Sequence, residues 1–324
     1  MTASATPLEI VFLDAETVPP EIVIPALPFA HRLTVHQKTA PGEVAGRIAG
    51  ADIVITNKVP VSAASVAAAP RLRLVAVAAT GTNIVDVAAC TARGVGVCNI
   101  RGYAVNTVPE HTFALILALR RSIVAYQESV ARGRWQEANQ FCYFDYPIHD
   151  LAGSTLGVIG DGVLGKAVAR LGEAFGMRVL FSTYKGVEGM GPLYTPFEEV
   201  IRVADVITLH APLTPASKDM IAAPEFAAMA RRPLIVNTAR GGLVNEEDLA
   251  VALETGQIAG AAFDVVSVEP PPANHPFMRL MHRPDFILTP HVAWASREAV
   301  QSLVDQLFEN IALYVAGKPR HLVG

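Results

Sequence analysis

Three glycines in the stretch GVIGDGVLGKAVARLGEAFG, Gly160, Gly162 and Gly165, stand at G-x-G-x-x-G spacing. An apolar run precedes them and an Ala-rich run follows, so the motif lies where a strand turns into a helix, the context its chemistry requires. Gly160 permits the tight turn, Gly162 lets backbone approach a pyrophosphate, and Gly165 lets helix and strand pack closely. The helix start at Val163 and Leu164 offers unpaired N–H groups and a partial positive charge to phosphate oxygens. Dinucleotide binding is the chemistry expected. Asp161 is unusual beside a pyrophosphate, and would be harmless if turned outward to solvent.

About 20 residues beyond such a loop, a carboxylate commonly accepts the ribose 2′-OH of NAD and repels the 2′-phosphate of NADP. The stretch MRVLFSTYK has Thr183 there instead. Ser182 and Thr183 can donate to phosphate oxygens, and Lys185 can supply a compensating charge. On this reading the cofactor is NAD(P)H, with NADP at least as acceptable as NAD.

These residues need a scaffold. Short β-branched runs, each followed by an Ala-rich stretch, begin at Leu8, Ala51 and Leu72, and a second series begins at Thr155. The alternation predicts α/β architecture with parallel sheets. The runs are almost continuously apolar, as expected for strands covered on both faces. In the second series six strands are expected, near 155–159, 178–181, 206–209, 234–237, 260–264 and 286–289, enough for one Rossmann-type domain. Between the series, Thr107 and Glu110 have capping-box spacing ahead of one long, mostly apolar helix. At the far end Ser296 can cap a helix with apolar residues at Val300, Leu303, Val304, Leu307 and Ile311, closed by Gly317, whose sticky face needs a sheet. The segment 133–151 clusters Trp135, Phe141, Tyr143, Phe144 and Tyr146, which suits a dimer contact.

Three further stretches stand out at strand ends: IVNTARGGLVNEEDLAVAL from Ile235, AGAAFDVVSVEPPP from Ala259, and FILTPHVAWAS from Phe286. With TGTNIVD, TVPEHTFALILALRR, YPIHDLAGSTLGVIG and the final GKPR, they run in order through nearly the whole chain. The sequence resembles the D-isomer-specific 2-hydroxyacid dehydrogenases, and most of all their glycerate dehydrogenase (hydroxypyruvate reductase) branch.

The resemblance implies a fold class of two doubly wound parallel-sheet α/β domains. A Rossmann cofactor domain over residues 102–291 would be inserted into a flavodoxin-like substrate domain made of 1–101 and 292–324, with catalysis in the cleft between them. It implies Arg240, Glu269 and His291 as the catalytic residues. The types suit reduction of a 2-keto acid: His, with a reference pKa near working pH, is the proton donor to the developing alkoxide. Glu269 would favour the imidazolium and orient the ring. Arg240 would grip the substrate carboxylate with its planar fork. The backbone N–H groups of Thr80 and Gly81 are implied as further carboxylate donors, and Asn57 and Lys58 as groups near a substrate hydroxyl. His210 and Pro212 would lie beside the cofactor ribose, Thr238 and Ala239 beside the nicotinamide, Asp264 at its carboxamide, and Thr107 at the hinge.

Composition narrows the alternatives. The 324 residues are 51% apolar and 17% charged, enough for more than one core. The net charge of −4 and the lack of a basic block give no footprint for nucleic acid. No apolar run reaches the ~18–20 residues that span a bilayer. The first 20 residues lack a basic n-region, so a cytoplasmic protein is expected. Three cysteines without C-x-x-C spacing, and histidines such as His31, His36, His149 and His275 without ligand spacing, predict neither disulfides nor a metal. The partners expected are a small 2-keto/2-hydroxy acid, with hydroxypyruvate and D-glycerate favoured and glyoxylate second to them, and a second copy of the chain. Two alternatives stay open: an NADH-sensing binding protein or corepressor of the same fold, and a dehydrogenase for another hydride donor.

Overall fold

The computed structural model describes residues 6–324. They form two compact units, one of residues up to Tyr103 together with Ser296–Gly324, the other Ala104–Ala295.

The first unit is built on β1 (Leu8–Phe12), β2 (His31–Val35), β3 (Ile53–Thr56), β4 (Leu74–Val77) and β5 (Gly96–Cys98), all parallel in the order β2-β1-β3-β4-β5. This is the flavodoxin-like order. β3 and β4 are buried at every residue because helices cover both faces. Val54, Val75, Val77 and Val97 share one core with Val44, Ile48, Val66 and Cys90. β2 and β5 were not among the expected strands. β2 is an edge strand whose sequence HRLTV alternates without an apolar run, and β5 is three residues long.

The sticky C-terminal helix is Arg297–Val315, and it lies over β4 of this sheet. Ser296 Oγ accepts from Ala299 N at 3.2 Å, and all five predicted apolar residues are buried. Gly317 ends it at φ +72°, the left-handed region that a residue without Cβ enters at little cost.

The second unit has seven parallel strands: β6 (Thr155–Ile159), β7 (Arg178–Ser182), β8 (Tyr194–Thr195), β9 (Val206–Leu209), β10 (Leu234–Asn237), β11 (Gly260–Phe263) and β12 (Phe286–Leu288). Their order is β12-β11-β10-β9-β6-β7-β8, the Rossmann arrangement with one more strand. The unexpected seventh strand, β8, has only two residues and a proline two places before it and immediately after it, which leaves no strand-like run to read. Period-two alternation divides the central strands between two cores. Leu234, Val236 and Ala262 face one side with Leu156 and Val158; Ile235, Ala261 and Phe263 face the other with Ile207 and Leu209.

The single long helix expected after residue 107 is two helices, Thr107–Arg120 and Ile123–Ala131, separated by Ser122 at φ +49°. The expected capping box is absent: Asn106 is the N-cap and makes no side-chain cap bond, while the Thr107 hydroxyl donates to Ala293 O at 3.1 Å. Nor is the second helix buried all round, since Ile123 and Val124 are exposed. Among the described residues no helix is long and apolar enough to cross a membrane.

Candidate active site

Apart from Thr107, every residue of the second unit expected at the catalytic or cofactor site sits in or beside a loop leaving the C-terminal end of a strand, or at the helix start that follows one, where open parallel sheets collect ligands. The glycine loop leaves β6 and opens the helix Val163–Ala174, with Gly162 as N-cap. A Cβ on Gly160, at φ +107°, would lie 2.6 Å from the His210 carbonyl carbon, and one on Gly165 would lie 2.0 Å from Gly160 O. A Cβ on Gly162 would meet nothing within 4 Å. Two glycines are therefore demanded by the fold, while the third borders open space at the helix N-terminus, with Val163 exposed and Leu164 half-buried beside it. His210 packs its backbone on this loop, donating from N to Ile159 O at 2.7 Å, and its ring Nε2 meets Thr208 Oγ1 at 2.9 Å. The ring Nδ1 is buried without a partner, and burial pushes the imidazole pKa down to about 4. An open backbone cradle beside a buried, unspent polar atom fits a dinucleotide. Pro212, on the same loop, is exposed and accepts from Ser217 Oγ through its carbonyl.

Arg240 follows β10. Its turn is bracketed by Asn237, whose Oδ1 accepts from Ala239 N at 3.0 Å and whose Nδ2 donates to Arg240 O at 2.8 Å. The guanidinium is exposed and donates from Nη1 to Ala239 O. Ala239 packs on the core, and Thr238 Oγ1 lies 2.9 Å from Thr112 Oγ1 of the helix Thr107–Arg120.

The next residue, Gly241, allows the Arg240 turn to lie on the loop that leaves β11. A Cβ there would fall 2.0 Å from both the carbonyl carbon and the oxygen of Val266. The N–H of the same Val266 donates to Glu269 Oε1 at 3.3 Å, and Glu269 Oε2 lies 2.7 Å from His291 Nδ1. One backbone unit thus ties the Arg240 turn to the Glu269–His291 pair. A carboxylate only accepts, so Nδ1 carries the proton of that bond and Nε2 is the nitrogen turned away from Glu269.

His291 has φ +55°, a left-handed conformation costing about 1 kcal/mol or more for a residue with a Cβ. Asp264, at the end of β11 and 1% exposed, holds this turn. Its Oδ1 accepts from Val292 N at 2.9 Å and from the Thr289 hydroxyl at 2.5 Å, and its Oδ2 from Ala293 N at 2.8 Å. His111 Nε2 stands 3.1 Å from Thr289 Oγ1 and 3.7 Å from Asp264 Oδ1. Asp264 was expected at the nicotinamide carboxamide; in the structure its oxygens accept from the His291 loop and hold that turn in place. Likewise Thr107, expected at the cofactor, spends its hydroxyl on Ala293 of that loop.

The residues read as a phosphate grip have partners within the unit, and the Thr183 hydroxyl proton is not used in these bonds. Ser182 is buried and its hydroxyl donates to Thr183 O at 2.7 Å; Thr183 is buried, and its Oγ1 accepts from Phe197 N at 3.1 Å. Lys185 pairs with Glu225 at 2.8 Å and donates to Met220 O at 3.0 Å. Asp161 does not simply face solvent: its carboxylate accepts from the Tyr194 and Tyr184 hydroxyls.

In the first unit Asn57 and Lys58 follow β3. Their N–H groups, with that of Val59, donate to the carboxylate of buried Asp14 at 2.6–3.1 Å, which fixes the turn. Thr80 and Gly81 lie on the loop after β4, where Thr80 O accepts from Asn99 Nδ2 at 2.7 Å.

Comparison with known proteins decides the family. Residues 113–293 match the model of the D-isomer specific 2-hydroxyacid dehydrogenase NAD binding domain. The glycerate dehydrogenase of Methylorubrum extorquens is 49% identical over 97% of this chain and 98% of its own length. The chain belongs to the D-isomer specific 2-hydroxyacid dehydrogenase family. It is an oxidoreductase moving hydride between a nicotinamide cofactor and a 2-keto/2-hydroxy acid pair. The hydroxypyruvate reductase of Blautia hydrogenotrophica is 36% identical to this dehydrogenase, over 87% of each chain. The crystal structure of the Aquifex aeolicus D-lactate dehydrogenase, complexed with NAD and lactic acid, superposes at TM-score 0.79 with 26% identity, covering 95% of this dehydrogenase and 96% of that chain.

Proposed function

We propose that this dehydrogenase reduces hydroxypyruvate to D-glycerate, with glyoxylate as a second short substrate, and that Arg240, Glu269 and His291 carry the reaction. The observation that supports it is the linked triad: the Arg240 turn on Val266, Val266 on Glu269, and Glu269 on His291. When bound, the nicotinamide supplies the hydride to the carbonyl carbon of the keto acid. As negative charge grows on the carbonyl oxygen, His291 gives it the proton from Nε2, while Glu269 keeps Nδ1 protonated and the ring oriented. Arg240, exposed and donating from Nη1 to the carbonyl of its neighbour Ala239, has donors left for the planar grip on a carboxylate. Thr80 and Gly81 are proposed as further carboxylate donors. A pure sensor of the cofactor would have no use for a carboxylate-oriented histidine held at a costly φ, which favours the enzyme.

Thr183 carries no carboxylate and so does not itself discriminate between NADH and NADPH. Similarity to a glycerate dehydrogenase and to a hydroxypyruvate reductase supports hydroxypyruvate as the substrate. A cytoplasmic homodimer completes the proposal. Trp135, Phe141 and Phe144 are exposed, the latter two at 89% and 84%, whereas Tyr143 and Tyr146 pack edge-on against Tyr126 of the same chain. The test is kinetic. Purified protein with hydroxypyruvate and either reduced cofactor should show turnover, and His291→Ala should lower kcat by about 10²–10⁴ fold. No turnover with either cofactor refutes the activity, and an unchanged rate in the variant refutes the role of His291.

A further inference from the structure

We infer that Asp161 is the residue that reads the adenosine ribose, a carboxylate delivered from the glycine loop to replace the one missing at the end of β7, and that it selects NADH over NADPH. This rests on the dehydrogenase reading above. β6 and β7 are paired neighbours, with Val158 opposite Phe181, so the loop after β6 and the residues after β7 lie side by side. Across that gap Tyr184 Oη donates to Asp161 Oδ1 at 3.4 Å. From the adjoining β8, paired to β7 through Phe181 and Tyr194, the Tyr194 hydroxyl donates to Oδ2 at 2.5 Å. The carboxylate is thereby tied, through the Tyr184 hydroxyl, to the segment that follows β7, where Rossmann units keep their ribose-binding acid.

Three features make this a reader rather than a bystander. A carboxylate has about four lone-pair directions, so the weakly engaged Oδ1 retains capacity for a ribose hydroxyl. The Tyr194 bond is the largest of the effects that hold the Asp161 carboxyl below its usual range, followed among the lowering effects by its own backbone N–H and the charge of Lys166, so it is an anion at neutral pH. The cation that could offset a 2′-phosphate after β7, Lys185, is already paired with Glu225. A hydroxyl finds an acceptor here and a 2′-phosphate finds a carboxylate that repels it. The tyrosines are positioning residues, holding the carboxylate in place.

Calorimetric titration of the purified full chain with NADH and with NADPH tests this without turnover. The expected result is a Kd for NADH at least about tenfold below that for NADPH, with the ratio narrowing about tenfold in Asp161→Asn. In Tyr194→Phe, where the charge stays but its anchor goes, it should narrow only a few-fold. Thermal melts monitor the fold, and Asp161→Glu and Tyr194→Phe supply the same ratio if the asparagine variant does not fold. Equal wild-type affinities, or a ratio that no folded variant moves, overturn the assignment while leaving the dehydrogenase reading intact. Wild-type protein that binds neither cofactor would sink that reading itself.

Discussion

Gly241→Ala is the substitution that most directly probes how the site is assembled. Gly241 does not occupy a left-handed φ, so alanine brings no backbone conflict of its own. Its methyl group, however, would start 2.0 Å from the Val266 carbonyl, where ordinary contact begins near 3.4 Å, so the two loops must separate by about 1.4 Å. Overpacking of this kind costs about 1–3 kcal/mol. The catalytic cost should be larger, because the displaced elements are the turn carrying Arg240 and the Val266 N–H that binds Glu269. A misplacement of about 1 Å lowers rates by roughly 10² fold. Steady-state reduction of hydroxypyruvate should show kcat/KM down by about that factor, in a protein whose circular dichroism remains that of the wild type. Activity within threefold of wild type, at an unchanged Tm, would refute the idea that this glycine holds the Arg240 and Glu269 loops in register.

Three other outcomes follow from the same geometry. Gly162→Ala, whose methyl group meets nothing within 4 Å, should melt within a degree or two of wild type yet bind NADH at least tenfold more weakly, measured by calorimetry. Asp264→Asn should lower stability by about 1–3 kcal/mol in urea unfolding, because an amide cannot accept from Thr289, Val292 and Ala293 together, and should reduce kcat by releasing His291. His210 has its pKa depressed by burial from 6.5 to about 4, so between these values the unfolded chain binds the proton that the folded chain refuses. Stability should therefore fall as pH drops from about 6.5 to about 4, and Tm measured across that range should decline less steeply in His210→Gln.

What the sequence disclosed and what it hid divide along a physical line. The glycine loop, the continuous apolar strands and the capped final helix are local patterns, and each has the expected place in the fold. Arg240, Glu269 and His291 stand beyond strand ends, and Glu269 and His291 meet although 22 residues separate them. Hidden were the bonds made by ordinary residues at long range: Thr112 with Thr238, His111 with Thr289, and the methyl-excluding contact of Gly241 with Val266. No local spacing announces these. Asp161 was visible as an oddity, but its partners Tyr184 and Tyr194 lie 23 and 33 residues away, and the strand carrying one of them is two residues long. Ser182, Thr183 and Lys185 suggested a phosphate grip by type alone; the partners of the latter two, Phe197 for Thr183 and Glu225 and Met220 for Lys185, arrive from elsewhere in the unit.

The buried aspartates of the two sheets share one design. Asp14, just past β1, collects the N–H groups of Asn57, Lys58 and Val59 beyond the neighbouring β3; Asp264, just past β11, collects those of Val292 and Ala293 beyond the neighbouring β12. Because these clamps hold main chain, they are indifferent to the side chains they display. The segments they grip can therefore exchange their outward residues while keeping their path, so the side chains at Asn57, Lys58 and beside His291 can change without rebuilding the fold. A graft of either segment should succeed to the extent that it preserves two or three amides facing its aspartate, whatever else it changes.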